Sequence, residues 1–283
     1  ARPIPAHVVH NYKKTMSIPE KVYKYRDWRN GSHKNLLLYN ELYLASPKDF
    51  NDPFDCRIPP NFIDLTQEEK DKYMNCLAIS QVEEAQKRGL DSEYLPRKLE
   101  KRFENPKEVQ SYYNELMFKS QDKYYGVLSL STRWDSILMW SHYSNCHTGF
   151  CVGFWEEKLR NSGYFGGGGI VNYDTKFPVI KPSVTKDPKD TIEKTYIQTH
   201  TKSEEWTYEC EYRLIQNYFP HEPEPFERII NVKDEVFSEV ILGINISEPD
   251  EKEIIAICRK KKIPIYKAKA KDFRFEIKIE LIK

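Results

Sequence analysis

The readable pattern of apolar and polar positions begins at residues 22–26, VYKYR. Its period of two sets Tyr23 and Tyr25 on one face and Lys24 and Arg26 on the other, which predicts a short strand. Residues 36–39 predict a short helix and residues 42–45 a second strand. From about 64 to 122 the apolar residues take helical spacing in a Glu-, Lys- and Gln-rich background, broken at Gly89, Pro96 and Pro106. The alternation then returns. Residues 125–132 predict a strand, 136–145 a short helix and 149–154 a buried strand. Gly166 to Gly169 reads as a loop, without the strand-to-helix flanks that would make it a phosphate cradle. Residues 170–173 are strand-like and 190–202 form a polar helix. Residues 206–215 show the clearest alternation, with Trp206, Tyr208, Cys210, Tyr212 and Leu214 on one face and Thr207, Glu209, Glu211 and Arg213 on the other. The chain ends as strand (236–242), helix (250–261), strand (263–267) and strand (273–282). Residues 1–20, with Pro3, Pro5 and Pro19, read as an arm laid over the body.

Composition narrows what these elements build. Of the 283 residues 39% are hydrophobic and 13% aromatic, with 19 tyrosines, so much of the core must consist of rings that keep a polar tip. No linker or repeat divides the chain, which predicts one mixed α+β domain over 1–283 with a helical insertion at about 64–122. The 44 basic and 43 acidic side chains nearly cancel and exclude the global basic field of a general nucleic-acid binder. The six cysteines are scattered without a CxxC pair, as expected of reduced thiols. No run reaches the ~20 apolar residues of a membrane helix, and no signal-peptide core opens the chain. The expectation is a cytoplasmic protein with no membrane partner.

Candidate chemistry concentrates in a few places. Two carboxylates at i and i+2 of a strand, Glu209 and Glu211, lie about 6.6 Å apart along the backbone, close enough to perturb each other. Such a pair can set a fixed negative charge and a proton acceptor beside a sugar whose anomeric carbon becomes positive. Arg213 either neutralises Glu211 or clamps a phosphate bidentately. Asn51-Asp52-Pro53-Phe54-Asp55 is turn chemistry built on Asx bonds, with Asp55 the member most able to do more. His142 and Cys146 stand at i and i+4 with His147 beside them, but no further ligand set accompanies them, and no metal is expected. His142 or His147, beside Trp140, Tyr143 and Gly149, suits a pocket wall.

Several of these pieces together resemble the bacterial domain-of-unknown-function family numbered 2971: Tyr23-Lys24-Tyr25-Arg26, Phe50 to Asp55, Leu128-Ser129-Leu130-Ser131, Met139-Trp140 with His142-Tyr143, His147 to Phe154, and Trp206 with Glu209-Cys210-Glu211-Tyr212-Arg213. The order of an Arg on a first strand, a Ser on a middle strand and Glu-x-Glu on a later one is also similar to Arg-Ser-Glu ADP-ribosyltransferases. That resemblance implies a central split β-sheet or sandwich and NAD as substrate. It assigns Arg26, or its competitor Lys24, to the NAD phosphates and Ser129 to ordering the cleft. Glu211 would stabilise the ribosyl cation and Glu209 assist the acceptor, while His142, Tyr143 and Arg213 line the ligand. The middle strand departs from a plain Ser-Thr-Ser, and no nicotinamide-stacking aromatic is fixed.

The function expected is therefore NAD-using ADP-ribosyl transfer or NAD glycohydrolysis, on a small nucleotide with a protein or nucleic-acid acceptor. Its chief rival is a non-catalytic module whose Tyr- and Trp-rich cleft binds a nucleic acid or a protein, with residues 209–213 as a structural ion-pair ladder. A third reading is another hydrolase that uses the same two carboxylates.

Overall fold

The computed structural model describes residues 18–87, 103–183 and 187–282. The arm expected at the N-terminus falls outside the described residues up to residue 17, as do Gly89 and Pro96. In chain order the elements are β1 (Lys21–Arg26), α1 (Gly31–Leu38), β2 (Glu41–Tyr43), α2 (Gln67–Lys87), α3 (Pro106–Tyr124), β3 (Tyr125–Ser131), α4 (Ile137–Tyr143), β4 (Phe150–Trp155), α5 (Glu156–Arg160), β5 (Gly167–Ile170), β6 (Asn172–Asp174), α6 (Pro188–His200), β7 (Thr201–Ser203), β8 (Glu211–Asn217), β9 (Ile229–Asn231), β10 (Phe237–Leu242), α7 (Glu248–Lys261), β11 (Ile265–Ala270) and β12 (Ile277–Leu281). They gather into two compact units, one from residues 1–50, 123–173 and 202–283, the other from 51–122 and 174–201.

An eight-stranded mixed sheet organises the first unit, in the order β12-β11-β10-β4-β1-β3-β8-β5. Every neighbouring pair is antiparallel except β10 and β11, which run parallel with α7 between them in the chain. β1, β3 and β8 all lie in it. One face carries Val22, Leu128, Leu130, Val152, Phe154, Leu214 and Val240, packed with Trp28 and with Leu36 and Leu37 of α1 and Ile254 and Cys258 of α7. On the other, Tyr23, Tyr25, Cys151 and Ile241 pack against Met139 and Trp140 of α4, with the Tyr25 and Trp140 rings edge-on at 5.2 Å. The two tyrosines thus share a face, as their spacing predicts.

The sheet is thinnest between β1 and β3. Along β4, β1 pairs from Lys21 to Arg26, and β3 pairs along β8 from Tyr125 to Ser131, yet β1 meets β3 only at Tyr23 opposite Ser131 among the described residues. Past that point each strand follows its other neighbour.

The second unit is helical, as the spacing over 64–122 predicts. Phe62, Leu65, Tyr73, Phe103 and Val109 form its core, with the Phe62 and Tyr113 rings stacked at 4.5 Å. Pro106 starts α3 rather than breaking a helix, because its fixed φ and missing N–H suit a first helical position. Here too lies the Asx turn: the Asp52 carboxylate accepts from the Phe54 N–H at 2.9 Å, while Asn51 stays exposed. Among the described residues no helix is long and apolar enough to cross a membrane.

A buried ion-pair cluster as candidate site

Residues 206–215 are not one strand. Glu204–Glu209 is a 3₁₀ helix, Cys210 takes a left-handed conformation at φ 44°, and β8 starts only at Glu211. Glu209 and Glu211 therefore do not share a strand face, and the spacing expected from i and i+2 does not apply to them. Hydrogen bonds clamp this corner onto β3. The Ser131 hydroxyl donates to the Glu209 carbonyl at 2.7 Å, and the Thr132 N–H donates to the Cys210 carbonyl at 2.8 Å.

The two carboxylates nevertheless meet, through a lysine. Lys202 Nζ lies 2.6 Å from Glu209 Oε2 and 3.4 Å from Glu211 Oε2, with all three side chains buried. Its amine also stands 4.5 Å from the centre of the Trp206 ring. Glu209 accepts a second bond, 2.5 Å, from the Tyr143 hydroxyl. Glu211 is gripped bidentately by Arg213, Nε at 2.7 Å and Nη2 at 2.8 Å, so the arginine neutralises the carboxylate. Arg213 is fully buried, with Phe50 under its guanidinium at 5.6 Å. The Tyr173 hydroxyl accepts from the Glu211 N–H at 2.8 Å.

Electrostatics fix the protonation of Glu211. Burial pushes its pKa up. The charge and paired N–H groups of Arg213, joined by Lys202 and by the Ser129 hydroxyl, outweigh that push and hold it at about 2. Glu211 is a permanent anion at neutral pH.

Across the thin part of the sheet stand the two β1 cations. Lys24 Nζ donates to the Ser129 carbonyl at 2.5 Å, and the hydroxyl of the same serine helps to keep Glu211 ionised. Burial, and then the charge of Arg26, press the Lys24 pKa well below its usual value, while the fields of Glu211 and Glu209 partly oppose them. Arg26 Nη1 donates to the Tyr25 carbonyl at 3.4 Å, and burial lowers its pKa to about 10. Neither cation forms an ion pair among the described residues.

Of the residues expected at the site, Glu209, Glu211, Arg213, Ser129, Tyr143 and Lys24 form one connected network. Arg26 stands two residues along β1 from Lys24 and reaches the network only through the Lys24 charge. His142 stands apart, exposed, with its ring 5.8 Å from that of Tyr208. Lys202 and Tyr173 belong to the network but lie outside the sequence-predicted set. The one available signal for Lys202 was the need of two buried carboxylates for more than one cation.

The end of α4 is held beside β1 by a strained turn. Asn145, Cys146 and His147 all take positive φ, at 50°, 53° and 65°. The turn ends in Gly149, where a Cβ would lie 2.1 Å from the Arg26 carbonyl oxygen. The backbone at Arg26 is thus set by a contact that only glycine permits.

A family model described as a protein of unknown function, DUF2971, matches residues 139–214, the stretch from α4 into β8. No curated protein and no solved structure matches the chain.

Proposed function

We propose that the chain cleaves NAD at its nicotinamide–ribose bond, as an ADP-ribosyltransferase or an NAD glycohydrolase. The observation that carries this reading is the pairing of opposites at Ser129. A carboxylate held ionised lies on one side, and on the other are two half-buried basic side chains with no ion-pair partner among the described residues. The thin β1–β3 ladder between them accords with a cleft of the split-sheet kind.

Each side suits one part of the dinucleotide. Pyrophosphate oxygens match Lys24 and Arg26, the latter as a planar fork. As the C–N bond breaks, nicotinamide leaves as a neutral base and the ribose carbon becomes positive. A fixed negative charge at Glu211, in a site shielded from water, stabilises that cation without reorganising. Water or an acceptor hydroxyl then bonds to the carbon, and its proton passes to Glu209, whose Tyr143 and Lys202 partners hold it in place. Ser129 and Arg213 position Glu211.

The crowding around Glu211 favours a second reading. With Arg213, Lys202 and Ser129 all upon it, the carboxylate can equally serve as the ionic core of a non-catalytic module that binds a protein or nucleic acid. Nicotinamide release by the purified wild-type chain separates the two. Release, together with a rise in melting temperature on adding NAD, supports the enzyme. With neither, even after cell extract is added as a source of acceptors, the binding module replaces it.

A further inference from the structure

β12 closes one end of the large sheet, and its outer edge is unpaired among the described residues. Its inner edge is committed. The Lys271 N–H bonds the Glu276 carbonyl and the Ile282 N–H bonds the Ile265 carbonyl, each at 2.9 Å, so the even-numbered residues of β12 turn their backbone groups toward β11. Alternation then points the N–H and C=O groups of Ile277, Ile279 and Leu281 outward. Such an edge is a template for another strand.

We propose that this edge docks a second copy of the chain, two β12 strands pairing antiparallel about a two-fold axis through Ile279. The sequence of the strand is self-complementary in that register. Ile277 falls opposite the partner's Leu281, and Ile279 opposite itself. These are the positions with free outward backbone groups, so each pair exchanges both of its N–H···O bonds. Lys278 falls opposite the partner's Glu280, and Glu280 opposite the partner's Lys278, at the closer non-hydrogen-bonded positions where opposite charges help.

Two features of the single chain leave room for that partner. Leu281 is 59% exposed at the edge. On the charged face Lys278 sits directly opposite Lys269, and both rely on the one Glu280 carboxylate, Lys269 at 2.5 Å and Lys278 at 3.4 Å. Lys267, the other cation of this face, is already paired with Glu251 at 2.6 Å. A partner strand supplies the missing carboxylate and turns a shared charge into an alternating ladder.

Sedimentation of the full chain across micromolar concentrations tests this directly. The wild type is expected to dimerise. Lys278→Glu and Glu280→Lys alone each set like charges face to face twice and should weaken the dimer about tenfold. Mixed together they should form a heterodimer, and the double variant should regain the homodimer. Ile279→Pro trims a partly buried side chain and removes an outward N–H, a loss that an edge strand tolerates, and should leave a folded monomer. A wild type that stays monomeric at every concentration would overturn the proposal, as would a dimer indifferent to all of these changes.

Discussion

Glu211 carries its charge where burial works against it, and three donors decide the outcome. Because Arg213 and Lys202 are themselves buried, the carboxylate stabilises the fold as well as the site. Removing one partner of such a cluster strands the others, at a cost of roughly 3–5 kcal/mol. Glu209, Glu211 and Arg213 thus lie in the interior, and Glu211 variants need a folding control. His33 shows the opposite balance. Burial, and then the Arg26 charge, lower its pKa to about 4, and its ring accepts the Asp27 N–H at 3.3 Å. A folded pKa below the unfolded value favours the neutral form. The stabilisation from His33 is therefore complete above about 6.5 and lost as pH falls toward about 4. His33→Gln should flatten the fall in melting temperature across that window; an unchanged slope would show that other groups set it.

At the scale of elements, β1 was legible from the alternation of its tyrosines with Lys24 and Arg26, and β4 as a short apolar run buried on both faces. The β8 region was half legible. Tyr212 and Leu214 do face the core. The same alternation ran on through 206–209, where a 3₁₀ helix also spaces large apolar and charged residues, and Cys210 at positive φ is not a residue that announces a turn. The run Gly166 to Gly169 failed in the other direction, since β5 takes in its last three glycines. It reads as a loop because glycine disfavours strands, yet it pairs with β8, and a Cβ at Gly168 would lie 2.3 Å from the Arg213 carbonyl oxygen. Glycine is needed there for close approach, which pattern alone does not reveal. Gly149 is a similar case with a sharper consequence. Gly149→Ala places a methyl against the Arg26 backbone, so it should cost more than the ~1 kcal/mol of a typical substitution and shift the end of β1. A variant with wild-type melting temperature and unaltered amide chemical shifts at Lys24 to Asp27 would contradict this contact.

For the whole molecule, contacts distant in sequence decide what the site is. Ser129 joins a cation 105 residues before it to a carboxylate on a neighbouring strand, and Lys202 joins two carboxylates that no shared strand aligns. The identity of most members was legible, since Lys24, Ser129, Glu211 and Arg213 are charged or polar residues on strands and Glu209 lies two residues before one. How they connect was not. The most direct test of their joint role is nicotinamide release by Glu211→Gln relative to wild type. It should be measured at a temperature where circular dichroism shows both chains at their folded baseline. Loss of a preorganised charge at a developing cation should slow release on the order of 10²-fold or more. Release at the wild-type rate by folded Glu211→Gln would contradict the assignment of Glu211 as the charge that stabilises the ribosyl cation.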